Sequence, residues 1–540
     1  MDLIRFFISS SQIPKSKLVF HSLLAGITNV LVLALLNSAA QNASNKTAEV
    51  ILFVLFTINV IIFVLSQKFI WRTSIQEIEH LVHTIRLRLI HKIAGCQLEK
   101  IERTGKSELY AAINQHAYTI TLSAMPVIIS IQSAILIMFT LIYIMTLSLV
   151  AFVLTVCFLT AAVYFAVQRS RRAKVRLDVA IHKEKGAYAT INDLLEGFKE
   201  VKLHDDRQQD LTEFIDYLSE GAKDSRTTAN QQMALNYIST QTSFYLMIAF
   251  MIFLIPIIGP DTFPEDVIKV TTAAIFIIGP INSIISILPS FTNAQASLHF
   301  IQRVDNLLEK SQEGDIGHNV VLPPFEKLTL KDVCYFYQGQ DEDPGFQVGP
   351  VNLEIKANEI VFFTGGNGSG KTTLLKSLVG LYQIKSGVIE YNGSPIRSDQ
   401  LRAFRNQFTG IFSDYHLFKR FYGLGNVDPD EAKELLDLLQ LEQKTSISED
   451  EFITQNLSTG QRKRLALVVA ILEKRPVLIL DEWAADQDPT FRAIFYQKIL
   501  PKLKAQGRTI IAITHDEKYF DCSDQRFHLV EGKISQQHES

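Results

Sequence analysis

Residues 360–373 read IVFFTGGNGSGKTT, and three elements follow one another within and just beyond them. Residues 360–363 are an apolar run that suits a buried strand. Gly365-x4-Gly370-Lys371-Thr372 comes next, and TLLKSLVG continues with helical character. Strand, glycine loop and helix in that order are the context a P-loop requires. The glycines let backbone N–H groups wrap a β-phosphate, and the N-terminus of the helix adds a favourable dipole. Gly365, Gly366, Asn367, Gly368, Ser369, Gly370, Lys371, Thr372 and Thr373 are the expected phosphate-binding residues. Lys371 is placed to neutralise β/γ-phosphate oxygens and Thr372 to ligate Mg²⁺. The expected ligand is a nucleoside triphosphate.

Further along, PVLILDEWAADQDPT (residues 476–490) holds four carboxylates, Asp481, Glu482, Asp486 and Asp488, straight after an apolar run. VLILDE has the pattern of a buried strand that ends in two acids. An acid at such a strand end can reach the Mg²⁺ held by the P-loop, which is the role expected of Asp481. The next acid, Glu482, can polarise the attacking water.

The chain has 540 residues, too many for one ordinary domain. It combines 47% hydrophobic and 20% charged residues with a positive mean hydropathy, which suggests a membrane part joined to a soluble part. A net charge of −3 gives no basic signature, so nucleic acid is not an expected partner. Cys96, Cys157, Cys334 and Cys522 form no CxxC pair and read as free thiols in a reducing cytoplasm. The N-terminal segment lacks the layout of a cleavable signal and reads as a short interfacial helix or elbow.

Crossing a bilayer takes about 20 apolar residues per helix. Six runs approach that length, near residues 18–36, 50–65, 126–145, 149–167, 244–258 and 267–288. The connectors at 67–118 and 168–241 are long and rich in Lys and Arg, whereas the short ones are nearly free of them. The positive-inside rule puts the long connectors and both termini in the cytoplasm. Asn42 and Asn45 each begin an N-x-[ST] pattern and are read as chance matches. Apart from Lys269 at the edge of the last run, the apolar runs hold no Asp, Glu, Lys or Arg, which argues against a proton-driven carrier. Asn29, Asn59, Gln132 and Asn282 are the polar exceptions; bonding between helices is the favoured role, and lining a substrate cavity is the other. Pro126 and Pro280 are expected to kink their helices. Near Phe300 the pattern changes to a polar linker and then to alternating strands and helices, the mark of an α/β domain with a largely parallel sheet.

Four further stretches carry a family resemblance. LSTGQRKRLAL (residues 457–467) resembles the LSGGQ signature of ABC ATPases. IIAITHD places His515 like that family's switch histidine. DCSDQRFHLVEGKI resembles its closing strands, and Tyr337 in VCYFYQG matches the aromatic that stacks on adenine. With six apolar runs in front, the chain resembles an ABC exporter half-transporter. The resemblance implies residues 1–305 as a six-helix transmembrane domain with cytoplasmic helical extensions, 306–324 as linker, and 325–540 as an α/β P-loop ATPase domain. It also implies a homodimer with ATP held between the P-loop of one chain and the signature of the other. Ser458, Gly460 and Gln461, with the helix that follows, would meet the partner's γ-phosphate, and Asp488 would cross the interface. Lys371, Glu482 and His515 would serve hydrolysis, and Thr372 and Asp481 would hold Mg²⁺.

The chain departs from the family at three places. Ser413 stands where the family has the Q-loop glutamine, and Ser413 or Asp414 could hold a metal-bound water instead. Thr459 replaces a signature glycine, and EDEFITQN before the signature lacks the T-E-V-G-E pattern of multidrug exporters. Asp486 has no assigned role, and Trp483 reads as a packing residue. Taken together, FSDYHLF, LSTGQRKRLAL and DEWAADQDP resemble the exporters of cyclic peptides and peptide siderophores, the pyoverdine- and syringomycin-type branch. A multi-pass protein of a bacterial inner membrane exporting such a peptide is the expectation that follows. Export of lipids or hydrophobic drugs, and an ATP-binding membrane sensor without sustained turnover, are the competing readings.

Overall fold

The computed structural model describes residues 15–41, 46–254, 263–313, 320–337, 345–425, 427–448, 451–454 and 457–539. The interfacial helix expected at the N-terminus, the two asparagines that begin the N-x-[ST] patterns and residues 314–319 of the 306–324 linker fall outside the described residues. The expected run at 244–258 passes out of them after residue 254. The chain divides into two compact units, Met1–Ile93 with Lys106–Glu309, and Ala94–Gly105 with Lys310–Ser540.

Among the described residues the first unit is built of helices alone. In chain order it contains α1 (Lys15–Gln41) and most of α2 (Lys46–Ala94). After the short α3 (Leu98–Thr104), which belongs to the other unit, come α4 (Lys106–Leu147) and α5 (Leu149–Glu196). Then follow α6 (Phe198–Lys202), α7 (Asp205–Ala249) and α8 (Phe263–Lys310). Among the described residues five helices are long and apolar enough to cross a membrane, and between 11% and 33% of each apolar window is buried. Val50, Phe53 and Ile58 on α2 are each at least half exposed, which fits contact with lipid. Three polar residues in these helices bond to neighbouring helices. Asn59 Nδ2 donates to the Thr28 carbonyl at 2.7 Å, and Gln132 Nε2 to Gln67 Oε1 at 3.3 Å. Asn236 of α7 likewise donates to the Ala166 carbonyl and to Ser170 Oγ on α5, at 3.3 and 3.1 Å. Helix continues through Pro126 and Pro280; a π-helical segment, Ala111–His116, lies earlier in α4.

The second unit is built on a six-stranded sheet in the order β12-β11-β3-β10-β9-β6, parallel except for its β12 edge. Its strands are β3 (Ile360–Gly365), β6 (Phe408–Ile411), β9 (Val477–Asp481), β10 (Thr509–Ile513), β11 (Gln525–Val530) and β12 (Lys533–Glu539). β3, β9 and β10 are buried along their whole length, as expected of strands covered on both faces. The strand period of two sorts their side chains. Ile360, Phe362, Leu478, Leu480, Ile510 and Ala512 join one core with the helix at Thr459–Leu472. Val361, Phe363, Val477, Ile479, Ile511 and Ile513 join the other, against an antiparallel sheet ordered β2-β1-β4-β5. That sheet consists of β1 (Lys327–Phe336), β2 (Gln347–Lys356), β4 (Ser386–Tyr391) and β5 (Ser394–Pro395), and β7 (Thr445–Ser448) pairs separately with β8 (Glu451–Thr454).

Residues 94–105, placed by the sequence reading within the transmembrane half, group with this unit. Gln97 N donates to Ser311 O at 3.1 Å and Glu313 N to Gly95 O at 3.0 Å. Glu102 of α3 accepts Lys376 Nζ at 2.9 Å and the Tyr382 hydroxyl at 2.5 Å.

Candidate functional site

β3 ends at Gly365, whose φ of +139° and surroundings exclude a side chain. A Cβ there would lie 2.2 Å from the Leu529 carbonyl oxygen and 3.0 Å from Ser369 Oγ. The loop then turns into α9 (Lys371–Leu378) through Gly370, also at positive φ, where a Cβ would lie 2.8 Å from Val348 Cγ2. Gly366 and Gly368 face open space. Lys371 folds back over the loop, donating to the Gly365 and Gly366 carbonyls at 3.0 and 2.8 Å. Burial lowers the pKa of this ammonium, while the nearby Glu482 and Asp481 oppose that shift. Ser369 Oγ is buried and has no hydrogen-bond partner among the described residues. A loop with an orphaned hydroxyl, a cation at its centre and open glycines fits a phosphate chain.

The parallel pairing of β9 with β10 sets Asp481 opposite Ile513 and brings the ends of both strands to this loop. Thr372 Oγ1 donates to Asp481 Oδ1 and Oδ2 at 3.2 and 3.1 Å. The Ser413 amide donates to Oδ2 at 3.3 Å. Asp481 is almost fully buried, and burial raises its pKa against those hydrogen bonds. A buried carboxylate beside a threonine hydroxyl, with neutral donors only, is an oxygen set that suits Mg²⁺. Of the two residues considered for the missing glutamine, Ser413 is the one bonded to Asp481, through its backbone amide and, more weakly, its hydroxyl. Asp414 is exposed.

Glu482 follows in the left-handed region at φ +49°, an unusual conformation for a residue with a side chain. Its Oε1 lies 3.2 Å from His515 Nε2, just beyond the end of β10. A carboxylate can only accept, so His515 carries its proton on Nε2 in this contact. Both side chains are partly exposed, as a group that must meet water and substrate requires. Tyr337, at the end of β1, is exposed on one side, and its hydroxyl lies 3.4 Å from that of Tyr382.

The signature residues lie elsewhere in the unit. After α10 (Pro429–Leu438), the helix α11 (Thr459–Leu472) begins two residues before Gln461. Ser458 caps it, accepting the Gln461 amide at 3.3 Å, while Gln461 Oε1 accepts the Ser458 amide at 3.0 Å. This capping box leaves an exposed helix N-terminus, where Thr459 in place of glycine causes no break. Asp488 caps α12 (Pro489–Ile494), accepting the Phe491 amide at 2.9 Å and Arg464 Nη2 at 2.8 Å. The Phe491 bond is the main cause of its lowered pKa, with Arg464 adding to it.

Sequence reasoning missed the partners of the two residues it left outside the chemistry. Trp483 is buried, its ring 4.4 Å from that of Phe495, and its Nε1 donates to the Lys463 carbonyl at 2.9 Å. Asp486 forms an ion pair with Lys463 at 2.7 Å. Neither LSTGQRKRLAL nor DEWAADQDP by itself marks the lysine of the one as the partner of the acid of the other.

The family model described as ABC transporter matches residues 348–485. ATP-binding protein SyrD of Pseudomonas syringae pv. syringae is 30% identical over 95% of this chain and 92% of its own length. An ATP-dependent lipid A-core flippase of Yersinia pestis is 28% identical over 49% of this chain and 46% of its own. Subtilin transport ATP-binding protein SpaT of Bacillus subtilis is 28% identical over 38% and 36%. Among solved structures, a bacterial Atm1-family ABC exporter with ATP bound superposes with a TM-score of 0.77 at 17% identity, covering 97% of this chain and 95% of that one.

Proposed function

This chain belongs to the ABC transporters, as a multi-pass half-transporter of the exporter type whose ATPase is coupled to transport, and from that premise we propose that it exports a cyclic or otherwise modified peptide, or a peptide siderophore, as a homodimer in a bacterial inner membrane. The observation that carries the ATPase reading is the convergence of Lys371, Thr372, Asp481, Glu482 and His515 at the ends of β3, β9 and β10. The peptide reading is supported by the motif set FSDYHLF, LSTGQRKRLAL and DEWAADQDP and by a full-length likeness to SyrD. SpaT, named for subtilin transport, adds a shorter match. The flippase match covers about half of the chain and supports lipid export as the second reading.

In this proposal ATP lies with its phosphates in the loop 365–373 and its base on Tyr337. Loop amides and Lys371 bind the phosphate oxygens, and Thr372 with Asp481 holds Mg²⁺. That ion would screen the charge of the phosphates and fix their geometry. Glu482 orients the attacking water and takes up its proton on the carboxylate, while His515 holds that carboxylate in place. Ser458, Gly460 and Gln461 present the exposed N-terminus of α11 to the nucleotide of the second copy, with Asp488 alongside, so each site is completed by both chains.

The deciding measurement is ATP turnover by the chain reconstituted in phospholipid vesicles, with a panel of cyclic peptides and a panel of lipids and amphiphilic drugs. Stimulation and vesicle uptake with peptides are expected, both abolished in Glu482→Gln. Stimulation by lipids or drugs alone selects the second reading.

A further inference from the structure

One buried charge is left without a task in that scheme. Lys463 lies on α11 with 7% of its side chain exposed. A buried ammonium needs compensating partners, and this one has two, Asp486 Oδ2 at 2.7 Å and the Glu482 carbonyl at 3.0 Å. In return, the Lys463 carbonyl accepts Trp483 Nε1 at 2.9 Å. The two bonds run in opposite directions between residue 463 and the adjacent residues 482 and 483, so they pin α11 to the turn after β9.

A second pin lies one turn toward the helix start. Gln487 donates to the Gly460 carbonyl at 3.2 Å and accepts Arg464 Nε at 2.8 Å. Gly460 permits the close approach, since a Cβ there would lie 2.8 Å from the Asp486 carbonyl oxygen. Glu482 occupies its left-handed conformation within this frame. Such a conformation persists only where the surroundings hold it. The holders are the Glu482 amide, bonded to the Ile513 carbonyl at 3.2 Å, and the Glu482 carbonyl, which accepts the Ala485 amide at 3.3 Å within its own turn and Lys463 Nζ at 3.0 Å from α11.

We propose that Lys463, itself held by Asp486, is a positioning residue for ATP hydrolysis: it fixes the Glu482 carbonyl, and with it the direction in which the Glu482 carboxylate leaves the backbone. The inference rests on the reading of Glu482 as the water-orienting group. It also means that the water-orienting residue of each chain is seated on that chain's own signature helix. A shift of α11 on meeting the second copy's nucleotide is therefore felt at Glu482, 19 residues away in sequence and one hydrogen bond away in space. Asp486 acquires a task by the same geometry, as the counter-charge that keeps the ammonium in place.

The test uses the full chain in phospholipid vesicles, with ATPase rate followed against ATP concentration and binding followed with a fluorescent ATP analogue. Asp486 is half-exposed, so Asp486→Asn should fold even if Lys463→Met does not. Asp486→Asn is expected to lower kcat roughly ten-fold, as small misplacements of a reacting group do, while KM and analogue binding stay within about two-fold. Asp486→Glu should recover most of the loss, and Lys463→Met, where folded, should match Asp486→Asn. Wild-type kcat in Asp486→Asn overturns the proposal. So does a loss of kcat that falls in step with analogue binding and melting temperature and that Asp486→Glu does not relieve, because that is a structural role. Glu482→Gln is measured beside them. If it turns over at the wild-type rate, the reading of Glu482 fails, whatever the Lys463 variants show.

Discussion

Thr372 donates its hydroxyl to both carboxylate oxygens of Asp481, at 3.2 and 3.1 Å, across the gap between the P-loop helix and the end of β9. In the proposed site these two residues share one cation. Asp481→Asn keeps the shape but removes the charge. It is expected to bind the fluorescent ATP analogue equally well with Mg²⁺ or EDTA, whereas the wild-type chain binds more tightly with Mg²⁺. Hydrolysis should fall by about a hundred-fold or more, the scale seen when a charge-stabilising group is removed from a reaction centre. Ser413→Ala should cost far less, because alanine retains the backbone amide that is the main Ser413 contact to Asp481 and loses only the weaker hydroxyl one. Loss of Mg²⁺ dependence in Ser413→Ala, with Asp481→Asn unaffected, would reverse that assignment.

Trp483 is buried beside α11, its ring tilted against that of Phe495 and its indole N–H bonded to the Lys463 carbonyl. Trp483→Ala should destabilise the ATPase unit by about 3–5 kcal/mol, the usual cost of emptying a buried aromatic site. Trp483→Phe should cost less, since it keeps most of the packing and loses one hydrogen bond, worth about 1 kcal/mol. Thermal unfolding of the detergent-solubilised chain gives the order, with Ala well below Phe and Phe just below wild type.

What the sequence shows and what it hides divide along a physical line. The P-loop and the Asp481-Glu482 strand end are legible because each is a contiguous segment whose spacing is dictated by one ligand. The Lys463–Asp486 pair and the Tyr382–Glu102 bond are not. Their partners come from different segments, and nothing in the periodicity of either segment marks a charge that will be buried. Residues 94–105 illustrate the same limit. In sequence they are part of a polar connector between long helices. Only the partners Ser311, Lys376 and Tyr382 assign them to the ATPase unit. The polar residues of the apolar helices were legible only as alternatives, cavity or neighbour. Carbonyl and amide partners on adjacent helices decide for the neighbour at Asn59 and Gln132.

Glu102 offers a separate test of coupling. It accepts both Lys376 and Tyr382, and the Tyr382 hydroxyl in turn lies 3.4 Å from that of Tyr337, the residue proposed to stack on the base. Burial and the Glu102 bond raise the Tyr382 pKa, so its phenol stays protonated and remains the donor at any pH where the protein works. Residues 94–105 join α2 to α4 in the chain, so Glu102 stands at the junction of ATPase and membrane sequence. Glu102→Ala should lower substrate transported per ATP about five-fold or more, the lower end of ordinary coupling energies, while basal ATPase stays within about two-fold. Equal losses in transport and ATPase would show that Glu102 supports the ATPase fold rather than its coupling.

In the proposed dimer Ser458 has two functions that one substitution can separate. As the N-cap of α11 it accepts the Gln461 amide, and its replacement by alanine should cost about 1 kcal/mol of stability. Glycine at a cap costs only a few tenths of a kcal/mol, so Ser458→Gly spares most of the helix while removing the hydroxyl. In the proposed dimer that hydroxyl also faces the γ-phosphate of the second copy. Ser458→Gly should therefore bind the ATP analogue at its own P-loop normally, yet fail to associate through its ATPase units. A Glu482→Gln background provides the readout, because it should trap the ATP-bound closed dimer. Cross-linking between ATPase units on addition of ATP should be strong in Glu482→Gln and absent in Ser458→Gly/Glu482→Gln. Equal cross-linking in both would remove Ser458 from the shared site and leave it as a cap alone.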